Sequence, residues 1–357
     1  MSPARVAVLV CTNVIGGHEF QSAALARSLA DHVAVKVFVN RTEHEKLFVD
    51  AGLDVQLVEG MLLEAGGLPT QWGRGWVRRH VIRKLVEGFD HVIVCAGAVE
   101  AGIAGGVALK GYIPSSMYLP FFYDRVPVWG WKGHLYNCLL ARACRLFDRV
   151  ITINRIQAKV IRAFSGVATF VISNKIREVQ PTVLHGPARL VFVGRLDHQK
   201  RVDELLRWLD TDANPVPELV LIGDGPLRTQ LEQQAQTLSY LKCSFLGWKR
   251  PEEQDRLIRS SDILVLNSLL EGEPLVIREA RARGMKIVVR SITGTRGVTS
   301  PAERFANREQ FLHRLSTTVQ RISCRNSATV AEREKSAESR RNACIKSFLL
   351  TINANRM

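Results

Sequence analysis

Residues 188–209 read ARLVFVGRLDHQKRVDELLRWL. The run 188–194 is apolar and β-branched, the pattern of a strand buried on both faces. Val202, Leu205, Leu206 and Leu209 then recur at helical spacing, so an amphipathic helix follows. Between strand and helix lies a polar loop that carries Gly194, Arg195 and Lys200. A strand, a loop and a helix in this order form the repeating piece of a parallel α/β sheet.

The same alternation extends outward in both directions. Downstream come the strand ELVLIG (218–223), a helix at 227–238, CSFLGW (243–248), a helix at 252–260, ILVLNS (263–268), a helix from about Pro274, and KIVVRS (286–291). Upstream, the strands are RVAVLVC (5–11), VAVKVFVN (33–40), DVQLV (54–58), HVIVC (91–95), SSMYLPFF (115–122) and RVITIN (149–154). Helices are expected over 19–32 and 132–147. The expected class is α/β, with two doubly wound Rossmann-like domains. The polar stretch 174–187 is the expected linker, giving domains at 1–180 and 181–340 and a basic tail at 341–357, with one or two solvated helices and a frayed end expected over roughly the last 35 residues.

At 357 residues the chain is long enough for two cores. It carries 49 Lys+Arg against 34 Asp+Glu, a net charge of +15 that favours anionic partners without choosing among them. The seven cysteines are scattered and show no CxxC or Cys/His spacing, so a zinc site is not expected and a reducing cytoplasm is. The segment 92–109 comes nearest to a membrane span, but Glu100 and four glycines make it a strand, a turn and a small-residue helix.

Each half places glycines after its first strand. Gly16 and Gly17 open a helix, where backbone amides can approach a phosphate; a plain tight turn is the alternative. Arg195 and Lys200 leave a strand end, one as a planar fork and one as a mobile point charge, a pairing suited to a diphosphate. The alternative there is a solvated basic loop. The stretch SLLEGEPLVIREARARG (268–284) sets Glu271 on a loop and Glu279 in the second turn of a helix beginning near Pro274, Leu275 and Val276. Helix-start amides suit phosphate oxygens and a carboxylate suits ribose hydroxyls. Alternatively, Glu271 and Glu273 complement the helix dipole and Glu279 pairs with Arg283.

The ordered set GRLDHQKRVDELL, LVLIGDGPLRTQLE, FLGW and DILVLNSLLEGEPLVIREARARG resembles the donor domain of the retaining glycosyltransferases of family 4, which have GT-B architecture. The resemblance is specific over about 190–290 and looser before it. It implies two Rossmann-like domains facing a cleft and a nucleotide-diphospho-sugar donor held mainly by the second. Arg195 and Lys200 would clamp the diphosphate, Glu279 would bind the ribose, and Glu271 would touch the donor sugar and the reacting face. Backbone around Gly194, Trp248 and Lys249 would border the nucleotide, and Gly16-Gly17 would close on the phosphates. Catalysis would fall to Glu271, Arg195 and Lys200, with neither cofactor nor metal. Three departures from the family pattern are visible. No histidine follows the strand at 115–122, where Tyr118, Tyr123 and Asp124 are the nearby polar groups; Glu273 replaces a usual phenylalanine; and ITGTRGVTS stands for a GG-x-x-E loop.

On the acceptor side, QWGRGWVRRHVIRKLVEGF (71–89) interleaves Trp72 and Trp76 with Arg74, Arg78, Arg79, Arg83 and Lys84. Such a basic helix with interfacial tryptophans suits an anionic membrane surface, to which Trp129, Trp131 and Lys132 add; the alternative is a solvated surface helix. No nucleic-acid module is recognised. The expectation is a cytoplasmic or peripheral enzyme moving a sugar from a nucleotide-sugar onto a glycan or lipid-linked acceptor in polysaccharide or glycoconjugate assembly. Two alternatives remain open: an inverting GT-B enzyme with His18 as base, and a non-catalytic sugar-nucleotide or membrane-binding partner of another transferase.

Overall fold

The structure, a computed structural model, describes residues 4–10, 12, 17–58, 68–97, 99–120, 130–175, 179, 186–322 and 330–354. The chain divides into two compact units, 1–175 with 338–357, and 176–337. The division falls at the start of the expected linker.

The first unit is built on a seven-stranded parallel sheet of order β3-β2-β1-β4-β5-β6-β7. Its strands are β1 (Arg5–Val10), β2 (Ala34–Val39), β3 (Asp54–Leu57), β4 (His91–Cys95), β5 (Ser115–Tyr118), β6 (Arg149–Thr152) and β7 (Ala168–Val171). Alternate side chains of one strand feed opposite faces. In β4, Val92 and Val94 join a core on one side, and Ile93 and Cys95 join a core on the other. The first face carries the helices Leu68–Leu85, Val99–Leu109 and Trp131–Ala143. The opposite face carries Gly17–Ala30 and Thr42–Asp50.

The helix Val99–Leu109 explains its own glycines. A Cβ at Gly102 would stand 2.7 Å from the Met117 sulfur, and one at Gly106 would stand 2.8 Å from Leu146 and Phe147. From the neighbouring helix, a Cβ at Gly75 would meet the Ala104 carbonyl at 2.6 Å. Small residues let this buried helix press onto the sheet and admit its neighbour.

The second unit has a six-stranded parallel sheet of order β10-β9-β8-β11-β12-β13. The strands are β8 (Leu190–Val193), β9 (Glu218–Ile222), β10 (Lys242–Gly247), β11 (Ile263–Leu266), β12 (Lys286–Arg290) and β13 (Arg304–Phe305). Both sheets reverse strand order beside their first strand, β1 and β8, which is the doubly wound pattern. The helix Val202–Leu209 buries Val202, Leu205, Leu206 and Leu209, as its spacing predicts. The strands β7 and β13 and the helices Thr42–Asp50 and Arg155–Ser165 go beyond the sequence expectation.

The C-terminus corrects that expectation. Over the described residues 341–354 this end of the chain is not solvated: the helix Val330–Ala354 buries Ile345, Phe348, Leu349 and Ile352 in the core of the first unit. Arg341 secures it, donating to the Ser173 carbonyl at 2.9 Å and to Ser28 Oγ at 2.9 Å. The four apolar positions follow i, i+3, i+4, i+7 and form a core-facing stripe beneath the arginines.

Candidate functional site

The residues expected to carry chemistry in the second unit lie at the carboxyl ends of β8 and β11, which are adjacent in the sheet. Lys200 Nζ forms an ion pair with Glu271 Oε1, and both side chains are largely buried. Two motifs far apart in sequence thus become one charged feature. Arg195 behaves differently: its side chain is mainly exposed and reaches Asp197 at 3.6 Å. It can swing toward an anion without breaking a buried contact.

The loops around this pair are tied together by their backbones. Leu269 N–H donates to the Gln199 carbonyl at 2.8 Å, and Gln199 Nε2 donates to the Leu270 carbonyl at 2.7 Å. The Gly223–Pro226 turn braces the same region from β9. Leu196 N–H donates to the Asp224 carbonyl at 2.9 Å, and a Cβ at Gly223 would fall 1.9 Å from the Gly194 carbonyl oxygen. Only glycine allows that approach, so this turn buttresses the Arg195 loop.

Arg201, next to Lys200, has φ 50° and ψ 43° and caps the helix Val202–Leu209. A left-handed arginine is strained and must be held by its surroundings. The hold is an ionic network. Arg201 pairs with Glu204, whose carboxylate also accepts from Asn267 Nδ2 at 2.7 Å and lies 3.5 Å from Arg290. Arg290 in turn donates to Asn267 Oδ1 at 3.0 Å. Burial, then the nearby Arg201, lowers the Arg290 pKa, and Glu204 opposes this. Sequence reading missed the network; the Arg201/Glu204 spacing was its one local signal.

The helix Leu275–Ala282 starts directly after Pro274, which caps it without a side-chain bond, so its first turn begins at Leu275 and Val276. Glu279 sits in the second turn and lies 3.8 Å from Arg283. That pairing was the structural alternative, and the geometry realises it. Arg283 is also held by Asp255 at 2.6 Å, so Glu279 is not its sole support. Glu273 is buried, 3.5 Å from Arg278; burial raises its pKa and Arg278 offsets part of the rise. The short helix Thr293–Arg296 abuts the Glu271 loop: a Cβ at Gly294 would stand 2.1 Å from the Glu271 carbonyl oxygen. Trp248 is exposed and Lys249 lies 4.0 Å from Glu253.

In the first unit, Gly17 is the first residue of its helix, whereas Gly16, Tyr123, Asp124 and Trp129 lie outside the described residues. His18 stacks on Tyr118 with ring centroids 5.7 Å apart, at the ends of the strands β1, β4 and β5. Removal from water pushes its imidazole pKa down to about 4, against the pull of Glu19. Trp72 and Trp76 are exposed, and Arg79 lies over the Trp76 ring at 5.1 Å. Arg83 turns inward instead, stacking over Tyr112 at 4.8 Å and donating to the Ala108 carbonyl at 2.8 Å.

Residues 140–312 match the model of the family described as Glycosyl transferases group 1. A curated relative is the UDP-Gal:alpha-D-GlcNAc-diphosphoundecaprenol alpha-1,3-galactosyltransferase of Escherichia coli, 36% identical over 110 residues, 29% of this chain and 28% of that one. Another is an uncharacterized glycosyltransferase of Methanocaldococcus jannaschii, 34% identical over 107 residues, 29% of this chain and 27% of its own length. The matches thus span under a third of these relatives. Among solved structures, Anabaena Alr3699/HepE in complex with UDP covers 98% of this chain and 100% of its own at 16% identity and TM-score 0.73. The apo lipopolysaccharide outer core galactosyltransferase WaaB covers 98% of both chains at 16% identity and TM-score 0.67. These likenesses are of fold: two parallel-sheet Rossmann-like units of the GT-B class.

Proposed function

We propose that this chain transfers a glycosyl group from a nucleoside diphosphate sugar to a saccharide or lipid-linked saccharide, with retention at the anomeric carbon. The observation that carries the proposal is the Lys200–Glu271 pair at adjacent strand ends, beside the uncapped start of the helix Leu275–Ala282. Arg195, Lys200 and the first helix amides supply positive charge for a leaving diphosphate, and Glu279 supplies acceptors for ribose hydroxyls. Glu271 contacts the donor sugar, and its ion pair with Lys200 links sugar recognition to diphosphate binding. In this scheme the leaving group departs and the acceptor hydroxyl attacks from the same face, with no metal ion needed. The group 1 family match over 140–312 supports the reaction class, and the UDP complexes of Alr3699/HepE make UDP the first nucleotide to try.

The test is thermal stabilisation by UDP, GDP, ADP, CMP and dTDP, read on the intact chain and on Glu279→Gln. Selective stabilisation by one diphosphate, weakened in the variant and unchanged by EDTA, is expected. Indifference to all five sinks the donor site. Turnover with the matching sugar nucleotide, followed by anomeric analysis of the product, then separates retention from inversion; an inverted product reassigns the reaction to a base such as His18.

A further inference from the structure

The helices Leu68–Leu85 and Trp131–Ala143 both pack on the small-residue helix Val99–Leu109 and share one core with it. Each turns Gly and aliphatic positions inward: Gly75 and Ile82 from the first, Leu140 and Ala143 from the second. Each then presents apolar residues outward. On the first, Trp72, Trp76, Val77 and Val81 are exposed; on the second, Trp131, Leu135 and Leu139 recur every fourth residue, with Trp131 73% exposed. Scattered exposed hydrophobics need no explanation, but two helical stripes on one face of one unit do.

The charge on these helices selects the occupant. The first carries five Lys/Arg and the second two, and neither carries an Asp or Glu. Lys132 lies over the Trp131 ring at 5.9 Å, as Arg79 does over Trp76. Aromatic rings interleaved with cations and free of acids match the interface of an anionic bilayer, where rings sit at headgroup depth and cations meet phosphates. No described helix is long and apolar enough to cross a membrane.

We infer that these two helices form a single docking face by which the first unit lies on an anionic lipid surface. The second helix is as much a part of it as the first, and Trp131 and Leu135 insert beside Trp72 and Trp76. Arg83, turned inward on Tyr112, serves the fold rather than the lipid. The inference stands independently of glycosyl transfer, because its test reads lipid binding alone.

The experiment is co-sedimentation of the full chain with vesicles of phosphatidylcholine, with and without phosphatidylglycerol, at low and high salt. Binding is expected only to the mixed vesicles, weakening with salt. Trp131→Ala with Leu135→Ser should lower the affinity about tenfold or more, and Arg78→Glu with Arg79→Glu by a similar factor at low salt. All four positions are on or near the surface, and circular dichroism confirms that the variants fold. Failure to sediment with either vesicle overturns the inference. So does a dimer, seen in analytical ultracentrifugation, that Trp131→Ala dissociates, or retention on duplex DNA that survives Trp131→Ala with Leu135→Ser. Lipid binding that ignores Trp131 and Leu135 removes the second helix and overturns the two-helix face.

Discussion

Lys200 Nζ and Glu271 Oε1 are ion-paired although 71 positions separate them in the chain. The loop after β8 delivers the lysine and the loop after β11 delivers the carboxylate; parallel pairing of those strands makes the two meet. Both side chains are mostly out of water, so neither is indifferent to the loss of the other.

Lys200→Ala should therefore have two effects. It leaves the Glu271 carboxylate uncompensated, lowering stability by roughly 1–3 kcal/mol, and it removes a cation from the diphosphate, lowering turnover by about 100-fold or more. Urea unfolding and steady-state kinetics on the single and double variants with Glu271→Gln measure both. If Lys200 and Glu271 contribute additively, the pair is not a functional unit.

Glu279→Gln should weaken nucleotide affinity by about tenfold, close to 1.4 kcal/mol, while sparing stability. Arg283 retains Asp255 at 2.6 Å, so its buried guanidinium keeps a partner. Calorimetric titration with the diphosphate identified by melting gives the number. An unchanged affinity assigns Glu279 to the Arg283 pair alone.

Gly294→Ala places a methyl group where the Glu271 carbonyl oxygen lies 2.1 Å away. The clash is with backbone atoms of Glu271 and Gly272, so the Glu271 loop must shift. We expect a stability loss of about 1–3 kcal/mol and a fall in turnover exceeding tenfold. Wild-type kinetics in this variant would mean that the Glu271 position is tolerant.

His91, at the start of β4, is buried and shares a 2.9 Å hydrogen bond with Ser116 Oγ. Burial, then the Arg149 charge, pushes its pKa from 6.5 down to about 3. The folded value lies below the unfolded one, so the unfolded chain binds the extra proton. The contribution is fully present above pH 6.5 and is lost as pH falls toward about 3. At pH 5 the loss is roughly 2 kcal/mol. Denaturant unfolding at pH 7 and pH 5 should show it, and His91→Gln should shrink the difference by about that amount, leaving the share owed to His18.

Phe348 is fully buried, packing edge-on against Phe170 at 5.4 Å and His91 at 5.9 Å. Phe348→Ala should cost about 3–5 kcal/mol. A solvated tail would show no such cost, so equilibrium unfolding of this variant distinguishes the two placements of the C-terminus.

Much of this protein was readable in its residue order. Strands such as 91–95 announce themselves as short continuous β-branched runs buried on both faces, and helices such as 202–209 because one-sided burial imposes a period of 3.6 on neighbours in the chain. The proposed donor-side residues, Arg195, Lys200, Glu271 and Glu279, were singled out because the ordered motifs that carry them resemble those of a known family and lie near strand ends, where doubly wound sheets place ligands. The tertiary structure decided what local spacing cannot encode. It joined Lys200 to Glu271, set Gly294 against the Glu271 carbonyl, and built the Arg201–Glu204–Asn267–Arg290 network from three separate segments. It turned Arg83 inward while leaving Trp76 outside, although both belong to one helix. It also drew residues 338–357 back onto the first unit. There, a stripe of four apolar residues outweighs the surrounding cations, because burial rewards the face a helix presents and not its average composition.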